Sequence, residues 1–121
     1  MKYLIGWSSL LALSCATSPP AQVVQSDDVA WQGVAGKARV RALVEGSNAW
    51  IGTLVLEPEA QVPLHRDATE EYILVTEGGG VLWINGERHV VVVGAAVFMP
   101  AGAQVRFENG EEFVAHKTEL S

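Results

Sequence analysis

The chain has 121 residues, 49% of them hydrophobic, and a formal net charge of −6 from 8 basic and 14 acidic side chains. That length holds one domain, and that apolar content lies outside the disordered range. The acidic balance argues against nucleic acid, whose binders concentrate basic side chains to displace counterions, and it disfavours a polybasic membrane surface. Cys15 is the only cysteine, so no intramolecular disulfide forms.

The chain opens MKYLIGWSSLLALSC: one basic residue, an apolar run too short to span a bilayer, then small residues. This is the pattern of an export signal. Its end, Leu11-Ala12-Leu13-Ser14-Cys15, resembles the bacterial lipobox, with Ala12 where leucine is usual. The resemblance implies that residues 1–14 are a lipoprotein-type signal peptide and that Cys15 is lipidated as the mature N-terminus. Removal of residues 1–14 takes Lys2 with it and leaves 7 basic against 14 acidic residues, a charge of −7. Ala16 is not acidic, which points to the outer membrane with the domain facing the periplasm. The membrane is then met only through the N-terminal lipid. The alternative is an ordinary signal cut after Ala16 or Ala21. Residues 15–28 are small, polar and proline-bearing and read as a flexible tether. Residues 29–121 form the domain.

From Val29 the pattern is β. In KARVRALV, Ala38, Val40, Ala42 and Val44 alternate with Lys37, Arg39 and Arg41, predicting a half-buried strand with the three cations on a solvated face. Residues 50–56 form a second strand, broken by Glu57-Pro58-Glu59, and Val62-Pro63 leads into His65. Residues 72–76 are expected to be a buried strand that pairs with 81–84 across Gly78-Gly79-Gly80. Asn85-Gly86 signals a type I′ hairpin into residues 88–93. Four consecutive valines, Val90 to Val93, imply a strand covered on both faces. Strands over 96–99, 104–108 and 113–118 follow, with a turn at Pro100-Ala101-Gly102 and a further hairpin expected at Asn109-Gly110. No stretch of the domain has helical periodicity. Many short, evenly spaced strands mean a sandwich or barrel.

The candidate chemistry lies in HRDATEEYILVTEG. His65 and Asp67 are two apart and share a face of an extended backbone, and Glu71 opens the next strand. An imidazole and two carboxylates converging from strands are a potential cation site. Glu70 is expected to face away from Glu71. His89 reads as a solvated histidine beside a turn. His116 alternates with Val114 and Thr118 and is a remote candidate for an inward-facing ligand. Trp31, Trp50 and Trp83 suit stacking on a ligand, but packing is the commoner role.

With these residues in hand, the stretch from Trp50 to Thr118 resembles the cupin superfamily. Its first motif is matched by His65, Asp67, Glu71 and Gly78, with Asp67 in place of a second histidine and the leading glycine absent. Its second is matched by Gly94, Pro100, Gly102 and Asn109, with Val105 in place of a histidine. Fifteen residues separate the motifs, the spacing of small single-domain members. The resemblance implies an all-β fold, a single cupin jelly-roll β-barrel, with a pocket at its centre.

The family usually holds a divalent metal through three histidines and a glutamate. Here His65, Asp67 and Glu71 remain as the metal-ligand set, which implies either no cofactor or a weakly bound Mn, Fe, Ni or Zn. Oxygen-rich donors favour Mn or Mg over Zn. Val105 and Phe107 share a strand face and make part of the pocket apolar. His65 and Glu71 are otherwise expected to be hydrogen-bonded near Arg66 or Arg106. The leading reading is an envelope-anchored module that binds a small ligand or partner in a pocket of His65, Asp67, Glu71, Val105 and Phe107. The alternative is a metal-dependent isomerase or oxygenase acting on a small polar substrate, with Asp67 a ligand or general base. A third is a structural role, with the valine-rich sheet turned to a partner. A homodimer is expected in each case.

Overall fold

The computed structural model describes residues 19–34 and 37–120. Among them are ten β-strands, one 3-10 turn at Ser26–Asp28 and no α-helix. We number the strands β1 (Gln32–Val34), β2 (Ala38–Glu45), β3 (Ala49–Leu56), β4 (Gln61–Arg66), β5 (Glu71–Glu77), β6 (Gly80–Ile84), β7 (Glu87–Val91), β8 (Ala96–Met99), β9 (Gln104–Glu108) and β10 (Phe113–Leu120). They form a six-stranded sheet in the order β1-β2-β3-β10-β5-β8 and a four-stranded sheet in the order β4-β9-β6-β7. Every pairing is antiparallel. The fold is a jelly-roll barrel whose two sheets close on one apolar core.

Alternation builds that core. Leu56 and Leu54 on β3, Ile73 and Val75 on β5, and Phe113 and Ala115 on β10 point inward from the larger sheet. Leu82, Val105 and Phe107 answer from the smaller one, and Phe107 packs against Phe113 in a tilted pair at 4.6 Å between ring centroids. Burying side chains of this size stabilises by about 1.5–3 kcal/mol each. The intervening residues face out: Tyr72 and Leu74 on β5, Phe98 on β8 and Trp83 on β6. The apolar run at 72–75 is therefore covered on one face only. Phe98 is 50% exposed and packs on Tyr72 at 5.2 Å.

Several expected connections differ. The strand at 71–77 does not pair with that at 80–84; β5 lies between β10 and β8, while β6 lies between β9 and β7. Gly78 and Gly79 instead carry the chain from one sheet to the other. Gly78 has φ +71°, and a Cβ there would lie 2.0 Å from the Glu112 carbonyl oxygen, so this corner admits only glycine. Asn109 likewise does not close a hairpin, because β9 and β10 belong to different sheets. Its buried side chain donates from Nδ2 to the carbonyls of Glu57 (2.9 Å) and Glu111 (2.7 Å), tying two loops together. The Asn85-Gly86 hairpin is as expected, with φ +51° and +83°. The valines split: β7 ends at Val91, which is buried, while Val90, Val92 and Val93 are exposed on this chain.

The cations of β2 are not simply solvated. Arg39 and Arg41 lie under the Trp31 ring at 4.9 and 4.2 Å, and Arg41 meets Asp27 at 3.6 Å. The segment read as a tether touches the domain as well, through Gln22 Nε2 on the Glu45 carbonyl at 2.8 Å.

Candidate functional site

A cavity of about 390 Å³ runs between the sheets. Its body is apolar, walled by Leu56, Val75, Leu82, Met99, Phe107 and Phe113, and its polar residues are His65, Asp67, Glu71, Lys117, Lys37 and Gln61. The five residues expected in a pocket, His65, Asp67, Glu71, Val105 and Phe107, all line it.

The local fold aims these side chains. Val105 on β9 is the direct cross-strand partner of His65 on β4, so the two present the same face to the cavity. His65 Nδ1 donates to the Pro63 carbonyl oxygen at 2.8 Å, which sets the tautomer: the proton is on Nδ1, and Nε2 faces Asp67 Oδ2 at 3.4 Å. The Pro100-Gly102 turn holds this segment in place. Gly102 N donates to the Asp67 carbonyl (2.8 Å), and Arg66 Nη1 donates to the Gly102 carbonyl (2.5 Å). Arg66 thus serves the turn. Arg106 lies over the Trp83 ring at 3.6 Å and pairs with Glu108, on the barrel's outside. Neither arginine partners His65 or Glu71.

The partner of Glu71 is Lys117, which sequence reasoning passed over. On β10, Phe113, Ala115, Lys117 and Glu119 face in, and His116 is exposed on the outer face. Glu119 is the direct cross-strand partner of Glu71, an arrangement that is destabilising for like charges. Lys117 bridges them, with Nζ 2.6 Å from Glu71 Oε2 and 2.7 Å from Glu119 Oε2. Gly52, opposite Lys117 on β3, has no side chain to displace the Trp50 ring, which lies 5.7 Å from the ammonium. Burial raises the pKa of Glu71; the Lys117 charge and hydrogen bond oppose this, while a hydrogen bond to Asp67 and the Glu119 charge add to it. Burial pushes Lys117 down, but the charge of Glu71 and the hydrogen bonds to Glu119 and Glu71 outweigh it and hold the ammonium above its usual value. The missed signal was the phase of the last strand: Phe113, two pairs of residues before Lys117, marks the inward face.

Other candidates fall outside the cavity. Glu70 accepts from the Tyr72 hydroxyl at 3.1 Å on the outer surface, as its parity requires. His89 sits beside Glu87 at 3.5 Å and is exposed. Trp31 and Trp83 are occupied by arginines, and Trp50 packs by Lys117. Cys15 lies outside the described residues.

The donor set does not fit a tightly held divalent ion. Glu71 is engaged by an ammonium, Asp67 faces the His65 ring, and Val105 offers no donor. Among the described residues, no three His, Cys, Asp or Glu side chains converge with metal-ligand geometry.

A jelly-roll of two antiparallel sheets enclosing a central cavity is the architecture of the cupins. The cupin domain family model matches residues 52–116, over half of the chain, and the chain belongs to that family. It is 29% identical over 94 residues to dimethylsulfoniopropionate lyase DddW of Ruegeria pomeroyi, an alignment covering 70% of this chain and 62% of that protein's length. Among solved structures, an RmlC-like cupin from Shewanella frigidimarina superposes with TM-score 0.78 at 13% identity, covering 84% of this chain and 91% of the other. The polyketide cyclase RemF of Streptomyces resistomycificus gives 0.75 at 21% identity, covering 84% and 80%.

Proposed function

We propose that this chain is an exported, lipid-anchored cupin of the bacterial cell envelope that binds a small, mostly apolar molecule carrying one polar end. The observation behind the binding is the cavity itself: about 390 Å³, within the range of small-molecule sites, with an apolar body and a few convergent polar groups. Apolar walls drive the body of a ligand in, and His65, Asp67 and Lys117 offer hydrogen bonds to its polar end. The anchor rests on Cys15, the one cysteine, at the end of the apolar run.

Two experiments test this. Mass spectrometry of the purified protein under native and denaturing conditions should reveal a small molecule that departs on unfolding, or a panel of small acids, ketones and phenols should contain members that raise the melting temperature. Val105→Phe, which fills the cavity, should abolish either response. A protein that carries nothing and responds to no member of the panel would sink the binding reading. For the anchor, Cys15→Ser should leave uncleaved precursor or soluble periplasmic protein; wild type found soluble and without lipid label would defeat it.

A second reading, an acid–base enzyme, is favoured by the tautomer of His65. With its Nδ1 proton committed to Pro63, Nε2 is free to take a proton beside Asp67 at the cavity. The relative DddW is named a lyase and RemF a cyclase, which is in keeping with such chemistry on this fold. Turnover of a bound molecule that His65→Gln abolishes without loss of binding would promote this reading over the first.

A further inference from the structure

We propose that the Lys117 ammonium is the barrel's resident cation, standing where a metal ion held by Glu71 would stand, and that it makes the cavity refuse divalent metals. The inference concerns the polar end of the cavity alone and does not rest on the identity or existence of a ligand.

The geometry is specific. Nζ of Lys117 lies 2.6 Å from Glu71 Oε2 and 2.7 Å from Glu119 Oε2. A divalent ion bound to a carboxylate sits about 2.0–2.6 Å from its oxygen. The two cations would therefore occupy the same space on Glu71. Neither partner can readily move away. The side chains of Lys117 and Glu71 are only 15% and 8% exposed, so water screens their charges poorly. Lys117 is wedged between Ile73 and Gly52 of the flanking strands, with the Trp50 ring alongside.

The charges agree with the geometry. Glu71 and Glu119 oppose each other directly across two strands, and a cation between them is needed to relieve their repulsion. A metal would meet that need in a barrel with histidines on the facing wall. Here the facing wall is Val105, and the need is met by a side chain of the same strand as Glu119. The groups facing Lys117 are Glu71 from β5, Glu119 from its own strand and Trp50 from β3. Glu71 is then the counter-ion of a lysine.

The test uses Mn²⁺ and Zn²⁺ as probes on the purified protein, on Lys117→Met, and on Lys117→Met combined with Glu71→Gln. Metal retained after dialysis and the change in melting temperature on adding metal are both read. Wild type is expected to retain none and to show no shift. Lys117→Met frees Glu71 and Glu119 and should bind more metal than wild type and melt higher with it, and the added Glu71→Gln should remove both effects. A wild type holding one tightly bound ion per chain would overturn the proposal. So would a folded Lys117→Met that binds no more metal than wild type, or a gain that survives Glu71→Gln. Should Lys117→Met not fold, the wild type still decides: the ¹⁵N signal of the Lys117 ammonium must persist unshifted in excess Zn²⁺, and its displacement by Zn²⁺ refutes the idea.

Discussion

Val105→His probes the site's geometry most directly. Val105 is 6% exposed and is the cross-strand partner of His65, so an imidazole placed there meets that of His65 across neighbouring strands. Without metal the change should destabilise, since an imidazole facing an apolar wall without a partner costs about 1–3 kcal/mol. For a domain of this size each kcal/mol moves the melting temperature by about 4–8 °C, so the apo variant should melt lower by about 4–24 °C. The adjoining cavity gives the ring room, which favours the lower end. Two imidazoles with Asp67 then form a nitrogen-rich set that suits Ni or Zn. Metal at a hundredfold excess over its dissociation constant returns about 2.7 kcal/mol, enough to cancel much of the loss. Adding Lys117→Met should enlarge the response by freeing Glu71. The assay is a thermal melt of wild type and both variants with and without Ni²⁺ or Zn²⁺. If neither variant responds to metal, Val105 does not face His65 and the registered pairing of β4 with β9 is wrong.

Phe107→Ala should cost about 3–5 kcal/mol in chemical denaturation, because the ring is buried and packed against Phe113; Phe98→Ala, on a half-exposed ring, should cost roughly 1 kcal/mol, and the reverse order would place the core on the wrong face. Lys117 is raised above 10.5 in the fold, so the stability it contributes is complete below pH 10.5 and is lost as pH climbs through its folded value. Wild type should therefore lose more stability than Lys117→Met in melts taken above that pH, and equal losses would mean the ion pair is absent. Glu71 is also raised, from 4.5, so its protonated form is favoured by folding: stability from this group is present below pH 4.5 and falls as pH rises through the folded value. Exposed Tyr72, Leu74 and Phe98 on the large sheet, with Val90, Val92 and Val93, are expected to be covered in a homodimer. Light scattering should show a dimer that Leu74→Asp dissociates, and a clean monomer at micromolar concentration would refute it.

Much of the barrel was legible in the chain because the strand period is two. Alternation on residues 38–44 and the Asn85-Gly86 turn are local signals, and local backbone preferences suffice to place them. The spacing of His65 and Asp67 likewise implied a shared face, and the structure brings both, with Glu71 from the next strand, to one cavity. Apolar runs were read less well. Tyr72, Leu74 and Phe98 look like core by composition, yet their parity turns them outward, and composition does not state parity. The triple glycine and Asn109-Gly110 looked like hairpins because turn residues announce a change of direction without naming the strand that follows as partner or stranger.

Lys117 marks the boundary between the two kinds of information. In the sequence it is a lysine near the end of a strand, next to a histidine with a better chemical reputation. One residue of phase decides which of the two enters the barrel, and that phase is set by Phe113 and Ala115 seeking the core. The partners of Lys117 lie on three strands that only the sheet order places side by side: Glu71 on β5, Glu119 on β10 and Trp50 on β3. The residue types fixed which charges existed. Tertiary pairing decided which of them met, because an ion pair depends on distance and burial, and neither is a property of the linear chain.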